Sequence, residues 1–435
     1  MRLALLPSLV ALCLCALPPA RGDDFTADLL TVREFLDLDT SYSPQERAAA
    51  EAAFAQLEAS AGVMSAAAFQ LAVAHIAALA RNGHTMLLAG VWQHQFNRTP
   101  LEYYAFADGV FVVHAPEPMR ELLGARLTAI DGHDINALAD AFAAYCGARE
   151  SKRDEWIGFF LESPAILHAA GFAKTDDRVE VQLDLADGSK TTRTLVAALD
   201  PPEGEIFAFL DESRLVTFAA ENVAPPGGVP FYLSSPGRAF LVTVFEELDA
   251  VYLQLRINKS YYDQHIEDFF EEARAMLKSA RPRHVIVDLR LDGGGDLNTT
   301  REFLQSLPSL APGDGHIFVL TSGRTFSAGI SSAGYLKQAA PERVTIVGEP
   351  IGDHLEFWAE GGFVQLPVSK AVLLPATERH NYVTGCQETD CHDSIKRHPI
   401  RVRSLEPDIA APLTYADYRA GRDTALEAVR RMLAE

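Results

Sequence analysis

The sequence has few cysteines and few basic residues for its length. Only five of its 435 residues are cysteine, and acidic residues outnumber basic ones by 59 to 38, for a formal net charge of −21. An acidic surface repels the phosphates of nucleic acids and of anionic membranes. The composition therefore argues against nucleic acid as a partner. The hydrophobic content of 48% is enough for a large core divided among two or three domains.

No apolar run of membrane-spanning length occurs after the first residues of the sequence. Residues 1–22 contain Arg2, an apolar stretch over 3–17 and a small-residue cleavage site at 20–22. This order is typical of a secretory signal peptide. We therefore predict a protein that is secreted or periplasmic after removal of the signal peptide, without a membrane anchor. A homo-oligomer is compatible with the sequence.

Removal of the signal peptide leaves three cysteines, of which two lie close together. In an oxidising compartment, Cys386 and Cys391 are predicted to form a disulfide, with Cys146 free and buried. The nearby His392 and His398 keep a zinc site open as an alternative, because thiolate and imidazole both bind zinc. Their spacing matches no common zinc finger, so we predict neither a metal nor a cofactor.

The patterns divide the mature chain into three parts. Residues 23–100 form a predominantly helical region, which ends at the turn Asn82-Gly83-His84-Thr85. Residues 101–224 read as a small β-rich module and its connection. Within it, the stretch 124–135 resembles the G-x-x-L-x-x-I-D-G-x-x-I segment of PDZ domains. Residues 225–435, which begin with a proline- and glycine-rich stretch, are predicted to form an α/β core.

The core contains two buried strands that are followed by similar loops. Each of the apolar runs 285–291 and 316–321 leads into a loop of glycine and small polar residues and then into a helix. A third strand over 344–348 completes a β-α-β-α-β unit. Because ligands bind at the carboxyl ends of parallel strands, both loops should face one crevice. Ser327, which opens the helix over 328–338, should lie at its rim.

The core resembles the S41 family of serine peptidases in four motifs that follow the order of that family. They are VDLRLDGGG at 287–295, TFSAG at 325–329, VGEPIG at 347–352, and PDI with GRDTAL at 407–409 and 421–426. The resemblance implies a crotonase- or ClpP-like core. It also implies hydrolysis of a polypeptide substrate through an acyl-enzyme on Ser327.

The residue types at Ser327 agree with this chemistry. A serine hydroxyl attacks a carbonyl when a base takes its proton and hydrogen-bond donors stabilise the oxyanion. The helix start directs the N–H of Ala328 toward developing negative charge, and the glycine loop offers the backbone of Gly293 and Gly294. The simpler interpretation is that Ser327 only caps its helix, since serine is a preferred N-cap.

The residue that acts as general base for the serine distinguishes two branches of the family. The tail-specific branch uses a lysine near the turn that here spans 347–353, and this turn contains no lysine. The tricorn-like branch uses a histidine from the N-terminal region, in a motif that Gly83-His84-Thr85 matches. We therefore predict His84 as the general base.

The residue that would orient His84 departs from the family pattern. Tricorn-like enzymes have a glutamate shortly before the P-D-I motif, but here the only acid in 401–406 is Glu406, directly before Pro407. The chain instead inserts residues 377–398, from which we predict Glu388, with Asn381 and Asp390 as alternatives.

This departure keeps a second function open. A binding protein that retains the crevice without catalysis would need no orienting acid. A hydrolase of the G-x-S-x-G type is not indicated, because that motif is absent around Ser327.

Overall fold

The computed structural model describes residues 24–199 and 228–434. The predicted signal peptide over 1–22 lies outside the described residues, as does the last part of the predicted connection, residues 200–224.

The N-terminal region is helical, as its periodicity predicts. Ser43 caps the second helix through a capping box with Glu46, and Pro44 occupies the first helical position. After the turn at His84, the chain forms a strand of two residues over 86–87 and then a 3₁₀ helix from Ala89. The elements are α1 (Thr26–Leu38), α2 (Pro44–Ser60), α3 (Ala66–Ala78), β1 (Met86–Leu87) and α4 (Trp92–Gln95).

The β-rich module is an antiparallel sheet with three helices. Its elements are β2 (Glu102–Phe106), β3 (Gly109–His114), β4 (Arg126–Ile130), β5 (His133–Asp134), α5 (Ile135–Phe142), α6 (Glu150–Leu161), α7 (Pro164–Ala169), β6 (Arg178–Asp184) and β7 (Lys190–Val196). The strands are ordered β2-β3-β4-β6-β7, and β5 pairs with β4. Alternating side chains of β6, namely Val179, Val181 and Leu183, are buried. They join one apolar core with the N-terminal helices.

The remaining elements form the core and its extensions. In chain order they are β8 (Phe240–Phe245), β9 (Ala250–Leu255), α8 (Ile266–Ala280), β10 (His284–Asp288), α9 (Leu297–Leu310), β11 (Ile317–Thr321), α10 (Ala328–Ala339), β12 (Val344–Gly348), β13 (Glu356–Glu360), β14 (Val364–Gln365), β15 (Val372–Leu374), β16 (Ala376–Asn381), α11 (Asp393–Arg397), β17 (Ile409–Ala410), α12 (Tyr415–Arg419) and α13 (Thr424–Ala434).

The central sheet has the order β17-β12-β11-β10-β9-β8. All neighbouring pairs are parallel except β8 with β9, which is an antiparallel pair at one edge. Helices α8, α9 and α10 cover one face, where Phe269, Phe303 and Tyr335 share a core. Helix α13 covers the other face with Leu426 and Val429. The fold is therefore mixed α/β.

The predicted β-α-β-α-β unit is present as β10-α9-β11-α10-β12, with one strand shorter than predicted. Strand β10 ends at Asp288, because the Asp288 carboxylate accepts hydrogen bonds from the backbone and side chain of Arg290, where the chain turns. Residues 289–291 therefore belong to the loop that leads toward the glycines.

A small sheet brings the N-terminal region onto the core. Strand β1 pairs with β15, which also pairs with β14, and β13 pairs with β16 alongside. Because His84 lies two residues before β1, this pairing places it beside the central crevice although the two regions are far apart in sequence.

Candidate active site

Ser327 lies where the loop after β11 enters α10, in an unusual backbone conformation. Its φ is 53° and its ψ is −124°, a combination that side-chain-bearing residues rarely adopt. The residue occupies the N-cap position of α10, but its side chain makes no capping hydrogen bond. The Ser327 hydroxyl therefore does not cap the helix, which was the simpler interpretation of this serine.

The loop that presents Ser327 is tied to the loop after β10. Thr325 Oγ1 donates to the Leu289 carbonyl at 2.7 Å, and Ser322 Oγ donates to the Arg290 carbonyl at 2.6 Å. The Phe326 N–H donates to the Asp292 carbonyl at 3.0 Å. The two loops that follow these parallel strands are therefore in direct contact.

The turn that carries His84 is held by polar contacts on both sides. The Asn82 side chain exchanges two hydrogen bonds of 3.0 Å with the backbone of Trp358 in β13. Thr85 Oγ1 donates to the buried carboxylate of Asp39 at 2.9 Å, and this carboxylate also accepts the N–H of Ala376. These bonds connect the turn to β13 and β16.

The His84 imidazole is packed between two aromatic rings and an acid. It stacks on Phe326 at 4.2 Å and on Phe357 at 4.9 Å between ring centroids. Its Nδ1 lies 3.1 Å from Oδ2 of Asp353, which is fully buried. Its Nε2 has no hydrogen-bond partner among the described residues. A carboxylate at Nδ1 favours a proton there, which leaves the lone pair on Nε2.

The acid that contacts His84 is Asp353, and not Glu388 as predicted. The side chain of Glu388 is 54% exposed and lies 4.0 Å from Arg379. The two alternative residues do not replace it. The Asn381 amide donates to Glu356, and the Asp390 side chain is exposed to solvent. Sequence reasoning missed Asp353 although it follows the VGEPIG motif directly, because the family pattern directed attention to the P-D-I region.

The predicted oxyanion donors are only partly available. Ala328 is the first residue of α10, so its N–H has no intrahelical acceptor. The N–H of Gly293 donates to the Arg256 carbonyl at 3.1 Å, and that of Gly294 donates to Oδ1 of Asp292 at 3.0 Å. Both N–H groups are therefore occupied within the protein, and their role as oxyanion donors stays a prediction.

Asp292 is a fully buried acid behind the glycine loop. Besides the Gly294 N–H, its carboxylate accepts the Asn258 amide at 2.7 and 2.8 Å. Burial raises the pKa of Asp292 to about 7, although the hydrogen bonds from Gly294 and Asn258 act in the opposite direction.

Lys152 on α6 is a second buried ionisable group near the site. It is 4% exposed, and its Nζ lies 4.4 Å from the centroid of the Phe326 ring. Burial lowers its pKa to about 8, with a further contribution from Arg324. Sequence reasoning did not single out this lysine, because it lies among charged residues typical of an exposed helix.

The cysteines are arranged as predicted. Cys386 and Cys391 form a disulfide, so their sulfurs are not available as thiolate ligands for a metal. Cys146 is free and buried. Within residues 24–199 and 228–434, no helix combines the length and apolar character that crossing a membrane requires.

Comparison with known proteins gives a likeness in structure only. No protein-family model and no curated protein matches the sequence. The structure of mature CPAF complexed with lactacystin is 14% identical, with 94% of this chain and 98% of that chain covered and a TM-score of 0.55.

Two further solved structures match less well. The photosystem II D1 C-terminal processing protease is 15% identical over 94% of this chain and 98% of its own, with a TM-score of 0.35. A putative S41 protease from Bacteroides fragilis NCTC 9343 is 10% identical over 78% and 84%, with a TM-score of 0.32. The comparisons therefore show that this chain shares the fold of mature CPAF.

Proposed function

We propose that this protein is a serine peptidase that cleaves polypeptides through an acyl-enzyme on Ser327. His84 Nε2 takes the hydroxyl proton as Ser327 Oγ attacks the peptide carbonyl, and then delivers that proton to the leaving amine. Water, deprotonated by the same nitrogen, releases the acyl group and restores the serine. Asp353 keeps the imidazole in the required tautomer and stabilises its protonated form. No cofactor enters this scheme.

The arrangement of His84 carries the proposal. Its Nδ1 contacts a buried carboxylate, its Nε2 has no partner among the described residues, and its ring stacks on the residue directly before Ser327. A histidine with only a packing role would have no need of an acid on one nitrogen and a vacant acceptor on the other. Ser327, which has a positive φ and a side chain without a capping hydrogen bond, is the nucleophile that this histidine serves.

Stabilisation of the oxyanion requires a small rearrangement in this scheme. The N–H of Ala328 and the positive end of α10 act on the developing charge as they stand. The N–H of Gly294 joins them when it leaves the Asp292 carboxylate. Substrate binding supplies the competing acceptor for that N–H.

The remaining sequence predictions complete the proposal. The α/β core is of the crotonase- or ClpP-like type, and the β-rich module is a PDZ-like unit that can bind a peptide by strand addition. The divisions at 23–100, 101–224 and 225–435 describe these parts. The protein acts outside the cytoplasm after loss of residues 1–22.

One observation favours the second candidate, a peptide-binding protein without catalysis. The N–H groups of Gly293 and Gly294 are both bonded within the protein, and a pure binder would have no reason to release them.

Hydrolysis of casein by residues 23–435 separates the two candidates. We expect cleavage by the intact protein and its loss in Ser327→Ala and in His84→Ala, with folding checked by circular dichroism. Ser309→Ala, an exposed serine on α9, is the matched control and should remain active. Cleavage that survives Ser327→Ala would refute the mechanism, and a folded protein without activity toward any peptide would favour the binder.

Lactacystin offers a second test, because mature CPAF has been crystallised with it. We expect lactacystin to inhibit casein hydrolysis here and to bind to the intact protein but not to Ser327→Ala. Binding that is equal in both forms would show that the compound does not act at Ser327.

A further inference from the structure

A cavity of about 330 Å³ lies at the carboxyl end of the central sheet. Its walls come from the end of β2, the start of α6, the end of β11 and the segment 411–413. None of the residues assigned to catalysis lines it. Ser322 contributes to its wall, however, and so connects the cavity with the loop that presents Ser327.

Acidic side chains outnumber basic ones in the lining of this cavity, by four carboxylates to the two arginines Arg149 and Arg290. Four carboxylates line it: Glu155 and Glu349 in the wall, with the more exposed Glu150 and Asp154 at the rim. None of the four forms an ion pair within the described part of the chain. Burial and the neighbouring carboxylates of Glu155 and Asp154 raise the pKa of Glu349 to about 7.

The two arginines of the lining form ion pairs with carboxylates outside the cavity. Arg290 forms ion pairs of 2.5 and 2.7 Å with Asp288 and Asp423, and Arg149 pairs with Glu406 at 2.8 Å. The Nζ of Lys152 does not line the cavity but lies over Phe326, as described above. The four carboxylates of the lining therefore form no salt bridge with either arginine.

An unpaired hydroxyl also faces this space. Tyr232 lines the cavity and is only 7% exposed, yet its hydroxyl has no hydrogen-bond partner among the described residues. Its ring is fixed by Arg290, which lies 4.0 Å from the ring centroid. The Tyr104 hydroxyl, by contrast, donates to Glu155 at 2.6 Å. A hydroxyl that meets a cavity without a protein partner is free to bond water or a ligand.

The cavity lies within reach of a substrate bound at Ser327. Ser322 and Ser327 are five residues apart, and five residues span at most about 18 Å. An extended peptide advances about 3.3 Å per residue. The cavity can therefore receive a side chain that lies within about five residues of the scissile bond.

We propose that this cavity is a specificity subsite that binds the positively charged side chain, lysine or arginine, of a polypeptide substrate. Glu349 and Glu155 bind the charge, and the Tyr232 hydroxyl accepts a further N–H. The aromatic and aliphatic walls, from Phe106 and Leu291, suit the methylene stem of such a side chain. A divalent ion would need six or more oxygens at 2.3–2.6 Å, which a cavity of this size with apolar walls does not favour.

This inference rests on the proposed function, so it is tested with and without catalysis. In the catalytic arm, fluorogenic peptides carry one arginine, glutamine or glutamate at each of the five positions on either side of the cleavage site. We expect arginine to raise kcat/KM at least tenfold over glutamine at one position. Glu349→Gln should abolish this preference, so that the ratio of kcat/KM for the arginine peptide to that for the glutamine peptide falls to about one. Glu272→Gln, on the exposed face of α8, is the control and should keep the preference.

The binding arm uses Ser327→Ala and needs no turnover. Fluorescently labelled arginine peptide should bind at least tenfold more tightly than its glutamine counterpart, and Glu349→Gln should remove that difference. Glutamine retains the acceptor that bonds the Leu413 N–H, so the variant should fold.

Equal binding of both peptides, or a preference unchanged in Glu349→Gln and Glu155→Gln, would overturn the subsite. So would displacement of the arginine peptide by stoichiometric Ca²⁺, which would identify a metal site. Binding without hydrolysis by the intact protein would uphold the subsite while refuting the peptidase.

Discussion

At the scale of single residues, the candidate site depends on contacts that leave little room for substitution. Ser327 has a positive φ, and the backbone of Gly294 lies against it. A Cβ added at Gly294 would be 2.7 Å from Ser327 Cβ and 3.2 Å from its hydroxyl, and Gly294 itself has φ +117°. The glycine of the motif is thus required by the close approach of two loops, in addition to its conformational freedom.

Gly294→Ala should therefore lower both stability and activity. We expect the free energy of unfolding to fall by about 1–3 kcal/mol from strain and collision together, and peptide hydrolysis to be lost. Gly188→Ala separates the two causes, because Gly188 also has a positive φ but no atom within 4 Å of its added Cβ. Urea unfolding of both variants is the measurement, and equal losses would contradict a collision at Ser327.

The acid that orients His84 can be identified by paired substitutions. Asp353→Asn should reduce kcat by about 10³- to 10⁴-fold with the fold retained, because asparagine no longer stabilises the imidazolium or its tautomer. Glu388→Gln should retain wild-type kcat, since that side chain points to Arg379 and solvent. Steady-state kinetics on one peptide decide between them, and a large loss in Glu388→Gln alone would restore the sequence-based prediction.

Asp292 should make stability depend on pH in a specific direction. Its pKa of about 7 in the folded state exceeds the ordinary value of 3.8, so between about pH 4 and 7 the folded state binds more protons than the unfolded state. The free energy of unfolding contributed by this group is therefore greatest at low pH and falls as pH rises through that window. Across this window, the free energy of unfolding should change by an amount on the order of a few kcal/mol.

The difference between wild type and Asp292→Asn isolates this contribution from other titrating groups. We expect the wild type to lose stability relative to Asp292→Asn as the pH rises from 4 to 8. Chemical denaturation of both proteins at pH 4 and at pH 8 measures this difference in the free energy of unfolding. A difference that does not change with pH would show that Asp292 titrates normally.

At the scale of elements, the inserted segment after β15 packs toward His84 and does not supply the acid that contacts its imidazole. Rings stack in sequence from His84 through Phe357 and His380 to His392, with centroid separations of 4.9, 4.8 and 5.2 Å. His392 follows Cys391 directly, so the disulfide holds the outer end of this stack. The insertion therefore positions His84 by packing.

The disulfide should contribute measurably to the stability of this element. Cys386 and Cys391 are five positions apart, and closing so short a loop is worth about 2 kcal/mol in the chain-entropy description. Urea unfolding with and without dithiothreitol should show this difference in wild type. The double variant Cys386→Ser/Cys391→Ser should match the reduced protein and be insensitive to dithiothreitol. Equal stability of oxidised and reduced wild type would contradict the expectation.

At the scale of the whole molecule, the site exists only because the N-terminal region docks on the core. Asp39, at the end of α1, accepts hydrogen bonds from the Ser41 side chain and backbone, from Thr85 beside His84 and from Ala376 in β16. One buried carboxylate thus joins three segments that are distant in sequence. Loss of this junction should displace the base without touching the nucleophile.

Asp39→Ala is expected to lower the free energy of unfolding by about 2–4 kcal/mol, because several buried donors lose their acceptor. Hydrolysis should fall together with stability, whereas lactacystin should still reach Ser327 in the fraction that remains folded. Asp37→Ala, an exposed neighbour on α1, is the control. Unchanged activity in a destabilised Asp39→Ala protein would show that the turn at His84 holds its position by itself.

Local patterns determined much of the fold and part of the site. The strands of the core, the helices between them and the disulfide follow from short-range rules of periodicity and cysteine spacing, and the structure has them, with β10 shorter than predicted. Ser327 was identified because its motif is contiguous. The nomination of His84 as base follows from a short motif in the same way and stays a prediction, although the structure places this histidine next to Phe326.

Only the tertiary structure decided which groups meet. The contact of His84 with Asp353 joins residues 269 positions apart, and the Gly293 N–H donates to the carbonyl of Arg256, at the end of β9. The negative cavity combines carboxylates of α6 with Glu349 of the loop after β12. Sequence patterns report the period of one element, whereas these contacts depend on how elements pack across the chain, so no local rule could predict them.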